Sequence, residues 1–252
     1  MGTRRRFRCN EADVNMRLKY SLSILILFSI FALGQSPAGN LRPSAIVGAK
    51  VESITPGQSA HTANIRIRNL ADKDITAFSL ALRVVDAQGK QHVSGTIQDI
   101  LPGIEVGRRE GIHPGAFFDY VTNISDSAGS MTAELSVVVF SDTTAEFTDR
   151  EMLMQIMAER KAVSDAAKQT ADIIHSSSSK AEAIAKLTQA WEEARYNRSL
   201  TASLLRDHLY NLQNQRGDSE ADQQQRMAEY ADRSGKEAEF FLLHAGLHGR
   251  TQ

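Results

Sequence analysis

The chain has 252 residues, of which 29 are basic and 30 acidic, giving a formal net charge of -1. Apolar residues make up 42% and aromatic residues only 6%. These values fit one or two globular domains and argue against a dedicated nucleic-acid binder, which would carry a strong basic excess.

The first element is a leader. Residues 1–15 are polar and include Arg4, Arg5, Arg6 and Arg8; Met16-Arg17-Leu18-Lys19 then precedes an apolar run over residues 20–33. A basic start, about a dozen apolar residues and a small-residue exit form the pattern of a secretory signal peptide. Ala32-Leu33-Gly34 satisfies the small-x-small rule and places cleavage before Gln35. Met16 would give a more ordinary start to such a leader. The run is shorter than the roughly 20 residues of a membrane span, so no stable span is expected after cleavage. The only cysteine, Cys9, leaves with the leader. The mature chain is then expected to lack disulfides, which a domain of this size does not need for a core. The expected location is the periplasm or the cell exterior. Residues 35–43 read as a linker.

Residues 44–142 read as an all-β domain of about seven strands. Period-two patterning and turn signals place strands over residues 45–54, 60–70, 75–85, 90–100 (one or two short strands), 116–122 and 131–140. In the second, Ala63, Ile65 and Ile67 alternate with Asn64, Arg66 and Arg68, the signature of a half-buried strand. Pro-Gly at 56–57, 102–103 and 114–115 and Asp86-Ala87-Gln88-Gly89 supply turns. An immunoglobulin-like β-sandwich is expected, with a small barrel as the alternative.

Part of this region resembles the bacterial extracytoplasmic FxLYD-type sandwiches. The resemblance runs from Ile65 through Asn69 and Asp72-Lys73-Asp74 to Phe78, then Val85-Asp86-Ala87-Gln88-Gly89, then His113-Pro114-Gly115 before Phe117-Phe118. It covers about 55 residues, and the family's Tyr-Asp pair is Val85-Asp86 here. It implies a sandwich fold and export, and it transfers no catalytic residue.

Residues 148–246 switch to helical periodicity. Thr148 or Asp149 can cap a first helix whose apolar face is Leu153, Ile156, Val163, Ala167, Thr170 and Ile174, interrupted by Arg160. Four serines, Ser176 to Ser179, break it. A second helix is expected over residues 180–211, with Trp191 as a packing anchor, and a third over 219–246. Gly235 inside the third marks a kink or a close helix contact. Residues 247–252 form a tail. The whole chain is therefore expected to be an α+β multidomain protein: an N-terminal immunoglobulin-like β-sandwich followed by a C-terminal α-helical hairpin or three-helix region. Pairing of the helices between chains, as a coiled coil, is the alternative to an intramolecular bundle.

Signals for chemistry are sparse. His244 and His248 are spaced to share a helix face but lack a third ligand in a known spacing, so they read as surface groups. His61, His92 and His113 are scattered near turns, and Glu192-Glu193, Glu237 and Glu239 read as solvated helix surface. No Gly-x-Ser-x-Gly follows the leader, and the glycines at 103, 107 and 111 lack a strand–loop–helix context. No catalytic residue, metal or cofactor is assigned. The richest stretch is residues 98–120, where loops at one end of a sandwich can carry binding. Arg108, Arg109, Phe117 and Tyr120 are the candidate partner-binding residues. The expected function is a noncatalytic exported interaction or structural module, oligomeric through its helices or bound to a protein or cell-envelope partner. The alternatives are an envelope-polysaccharide binder, and an enzyme with a cleft between sandwich and helices.

Overall fold

The computed structural model describes residues 45–56, 62–86, 88–101, 111–123, 128–215, 217 and 219–246. The leader, the linker, the tail, His61, His248, Arg108 and Arg109 lie outside the described residues.

Seven strands are formed: β1 (Ala49–Pro56), β2 (Thr62–Asn69), β3 (Ile75–Asp86), β4 (Gln91–Asp99), β5 (Phe117–Asn123), β6 (Ala128–Phe140) and β7 (Ala145–Phe147). They make two antiparallel sheets, one in the order β1-β2-β5 and one in the order β4-β3-β6-β7. The alternation read in β2 is realised: Ala63, Ile65 and Ile67 are buried, while Arg66 is exposed. The sheets meet through one apolar layer in which Ile65 and Ile67 join Phe78, Leu80, Val138 and Phe140. Residues 90–100 form a single strand, and β7 is additional to the strands read from the sequence.

Two bulges in the second sheet decide which side chains enter this layer. Ser79 lies opposite Val137 and Leu80 opposite Leu135, so Ser136 is an extra residue. Met131, Ala133 and Leu135 face the sandwich core before it, and Val138 and Phe140 after it. An inserted residue reverses the side-chain alternation. Val137 and Val139 are thereby turned to the outer face, where Leu153, Ile156 and Met157 cover them. The Ser136 carbonyl accepts the backbone N–H groups of Thr148 and Asp149, at 2.9 and 3.2 Å. The same bulge therefore holds the entry to the first helix over the face it has made apolar. Thr76 is the second extra residue, between Ile75 and Ala77.

Four helices follow, rather than three: α1 (Arg150–His175), α2 (Lys180–Tyr196), α3 (Thr201–Asn214) and α4 (Glu220–Ala245). Side chains of Asp149, Ser179 and Ser219 cap α1, α2 and α4 by accepting N–H groups of the first turn. The expected long second helix is split at residues 197–200. Arg198 takes the left-handed conformation, φ 51°. Its N–H reaches the Arg195 carbonyl and that of Ser199 reaches Ala194, at 3.1 and 2.9 Å. This is a Schellman termination, which usually uses glycine at the left-handed position. With arginine there, the stop is hidden from a sequence pattern.

The first half of α1 covers the sheet, and its second half packs with the other helices. Ala166 and Ile174 share a core with Leu187, Leu205, Leu209, Leu212, Met227 and Tyr230. Trp191 is half-buried against this core, as expected of a packing anchor. α1 and α4 approach closely through small residues, and the Ser164 hydroxyl donates to the Ala238 carbonyl at 2.8 Å. Gly235 is not the cause, because a methyl group there would meet nothing within 4 Å. Sheets and helices belong to one compact unit, Asn40–Gln252.

Candidate interaction face

The outer face of the β1-β2-β5 sheet carries the most organised exposed side chains among the described residues. Alternation sends Arg66 and Arg68 outward from β2, and Phe117, Asp119 and Val121 outward from β5. Register then fixes their neighbours: Arg66 sits opposite Asp119, and Arg68 opposite Phe117. Arg66 donates from Nε and Nη2 to the two Asp119 oxygens, at 2.7 and 2.9 Å, a forked pairing. The hydrogen bond and the charge of Arg66 hold the Asp119 carboxyl below the usual range, and Asp119 raises Arg66 in return. Both are solvent-exposed, so the pair orients its side chains more than it stabilises the fold.

Phe117 is 50% exposed. Its ring lies 5.5 Å from the Arg66 guanidinium carbon and 5.3 Å from that of Arg68. Two cations over one ring hold an exposed aromatic in a fixed position. Val121, 59% exposed, continues the apolar strip along β5. On β1, Lys50 and Glu52 form an ion pair at 2.7 Å, and the Glu52 carboxyl is lowered by that hydrogen bond first and by the charges of Lys50 and Arg68.

Of the four residues singled out from the sequence, Phe117 lies on this face. Tyr120 faces the other way. Its ring meets Phe78 edge-on at 6.5 Å, and its hydroxyl is 3.0 Å from Thr96 Oγ1, bridging the two sheets. The structure therefore does not bring Phe117 and Tyr120 together, because they are three residues apart on a strand of period two. The approach to β5 is anchored from within by buried Asn69. Its amide donates to the Lys73 and Ile112 carbonyls at 2.8 and 2.6 Å, and its oxygen accepts the Ala71 N–H at 2.9 Å. The turn before β5 uses Gly115 at φ 76°.

The junction between sheet and helices is filled. Below the Leu153–Ile156 layer, Arg160 is 1% exposed and makes four hydrogen bonds. Nε and Nη2 donate to the Asp99 carboxylate at 2.8 and 3.0 Å, Nη2 also to Thr76 Oγ1, and Nη1 to the His244 carbonyl. One guanidinium thus ties the end of β4, the Thr76 bulge and the last turn of α4 to α1. The sequence showed Arg160 only as an interruption of an apolar face. Its partners lie 61 and 84 residues away, and no local pattern announces them.

The histidines are structural in placement. His244 is buried, not a surface group, with Nδ1 2.8 Å from the Phe240 carbonyl. His113 Nδ1 lies 2.9 Å from Asp74. His208, which the sequence reading passed over, sits between α3 and α4 with Nδ1 2.9 Å from the Tyr230 hydroxyl. Burial pushes the His208 imidazole down to about 4 and raises the Tyr230 hydroxyl. Among the described residues no group of three His, Cys, Asp or Glu side chains could hold a metal ion. The larger surface depressions are shallow and lie on the helices, one along α1 at Asp165, Lys168 and Asp172 and one at Gln215, Tyr230 and Arg233. No described helix is long and apolar enough to cross a membrane.

No protein-family model matches the chain, and no curated protein matches it. A solved structure of a hypothetical protein from Peptoclostridium difficile 630 aligns over 44% of this chain and 91% of its own length, at 10% identity and a TM-score of 0.29. A likeness at that level supports no statement about fold or function.

Proposed function

We propose that this chain is a noncatalytic exported interaction module that presents the Phe117 face to a protein or cell-envelope partner. The observation that carries this reading is the exposed Phe117 ring clamped between Arg66 and Arg68. Aromatic residues and arginine dominate binding energy at interfaces, most effectively when already ordered before contact. Asp119 and Val121 surround the ring with an oriented carboxylate and further apolar surface. The strand order β1-β2-β5 against β4-β3-β6-β7 favours an immunoglobulin-like sandwich, as does the resemblance to FxLYD-type domains. The leader pattern over residues 16–34 favours periplasmic or secreted location.

The test is photo-crosslinking from p-benzoylphenylalanine placed at Val121, in cells that produce the protein. A discrete adduct is expected, and Phe117→Ala should lower its yield about tenfold, the effect of losing one interface anchor. The half-exposed ring should leave the melting midpoint nearly unchanged when removed. No adduct, or an adduct indifferent to Phe117→Ala, would overturn the assignment of this face.

A further inference from the structure

We infer that the free edge of β4 pairs with the same edge of a second copy of this chain, joining two four-stranded sheets into one of eight strands. This goes beyond the Phe117 face and uses a different part of the sandwich. The two sheets have four outer strands, β1, β5, β4 and β7. An outer strand exposes unpaired backbone N–H and C=O groups, and proteins normally blunt it by shortness, charge, proline or a bulge. Three of the four are blunted here. β7 has three residues. β1 is bulged between Val51 and Ser53, carries Lys50 and Glu52, and ends at Pro56. β5 carries Asp119 at its centre.

β4 has none of these devices. It runs nine residues in unbroken register with β3, from Gln91 opposite Val85 to Asp99 opposite Ala77. It contains no Lys, Arg, Glu or Pro, and its one acid, Asp99, is turned into the fold by Arg160. Residues 91–95 are exposed, and Val93 is 63% exposed. The strand's own charge pattern selects a second copy as the occupant. A two-fold axis places every residue opposite a residue of the same strand, so any charge near the centre would meet its image or a close neighbour of it. With the axis at Ser94, Val93 lies opposite Gly95, His92 opposite Thr96 and Gln91 opposite Ile97. No two like charges meet, and the Val93 side chain covers the bare glycine.

The test is the solution mass of the full-length protein across a concentration series, with hydrogen exchange of the β4 amides. The mass should rise toward twice that of one chain, and protection over residues 91–97 should rise with it. Val93→Lys, a change at an exposed position, should restore the single-chain mass at every concentration with an unchanged melting midpoint. Phe117→Ala should leave the association intact, which separates this inference from the partner face. Should the lysine variant fail to fold, Ser94→Cys in a Cys9→Ser background should oxidise to a covalent dimer, because opposed residues of an antiparallel pair lie within disulfide reach. A single-chain mass throughout, a dimer that survives Val93→Lys, or no covalent dimer from the cysteine variant in place of an unfolded lysine variant would each overturn the inference.

Discussion

Arg160→Met tests the junction between sheet and helices most directly. The substitution keeps an unbranched side chain of similar reach and removes four hydrogen bonds. Replacing one partner of a buried pair costs about 3–5 kcal/mol, because the other charge stays behind. Asp99 retains the Leu101 N–H at 3.0 Å, and its side chain is 14% exposed. Water can therefore recover part of its solvation, which places the expected loss near the lower end, at about 3 kcal/mol. For a folded unit of this size that corresponds to a fall of about 6–12 °C in Tm. Urea unfolding gives the free energy, and hydrogen exchange should show the last turn of α4 opening first, since its carbonyl loses its donor. Adding Asp99→Asn removes the stranded charge and should return a large part of the loss. A loss under about 1 kcal/mol, or strictly additive effects of the two substitutions, would refute the view that this pair joins the two parts of the fold.

Two further outcomes follow from local geometry. His208 titrates near 6.5 when unfolded and is pushed down to about 4 in the fold, so above 6.5 both states are neutral and the full contribution is present. As pH falls through this window the unfolded chain takes up the proton first, and about 3 kcal/mol of stability is lost by the time the folded imidazole is charged. His208→Gln should flatten the urea midpoint between these two pH values relative to the parent, and an identical slope would show that the ring is not shielded. Arg198→Gly should raise stability by about 0.5–1 kcal/mol, since glycine adopts φ 51° without steric cost while gaining some unfolded-state entropy. A lower Tm for that variant would mean that the arginine side chain holds the turn.

The sequence determined whatever depends on neighbours a few residues away. The alternation of Ala63, Ile65 and Ile67 with Arg66 and Arg68 specified a half-buried strand and placed both arginines on its outer side. Asp149 and Ser219 marked helix starts because a cap needs only the N–H groups of the next turn. The facing of Phe118 and Tyr120 away from Phe117 likewise follows from strand periodicity. What the sequence could not show was decided across long separations. The Ser136 bulge exists only against β3, yet it determines that Val137 and Val139 face α1. The short β7 has meaning only as a partner of β6, and the helix break at Arg198 uses a residue type that carries no stop signal. The cation clamp on Phe117 needed the register of β2 against β5. Arg160 looked like a flaw in an apolar helix face until folding delivered Asp99, Thr76 and the His244 carbonyl to it. A buried charge is tolerated only where distant groups converge to satisfy it, and that convergence is a property of the tertiary structure alone.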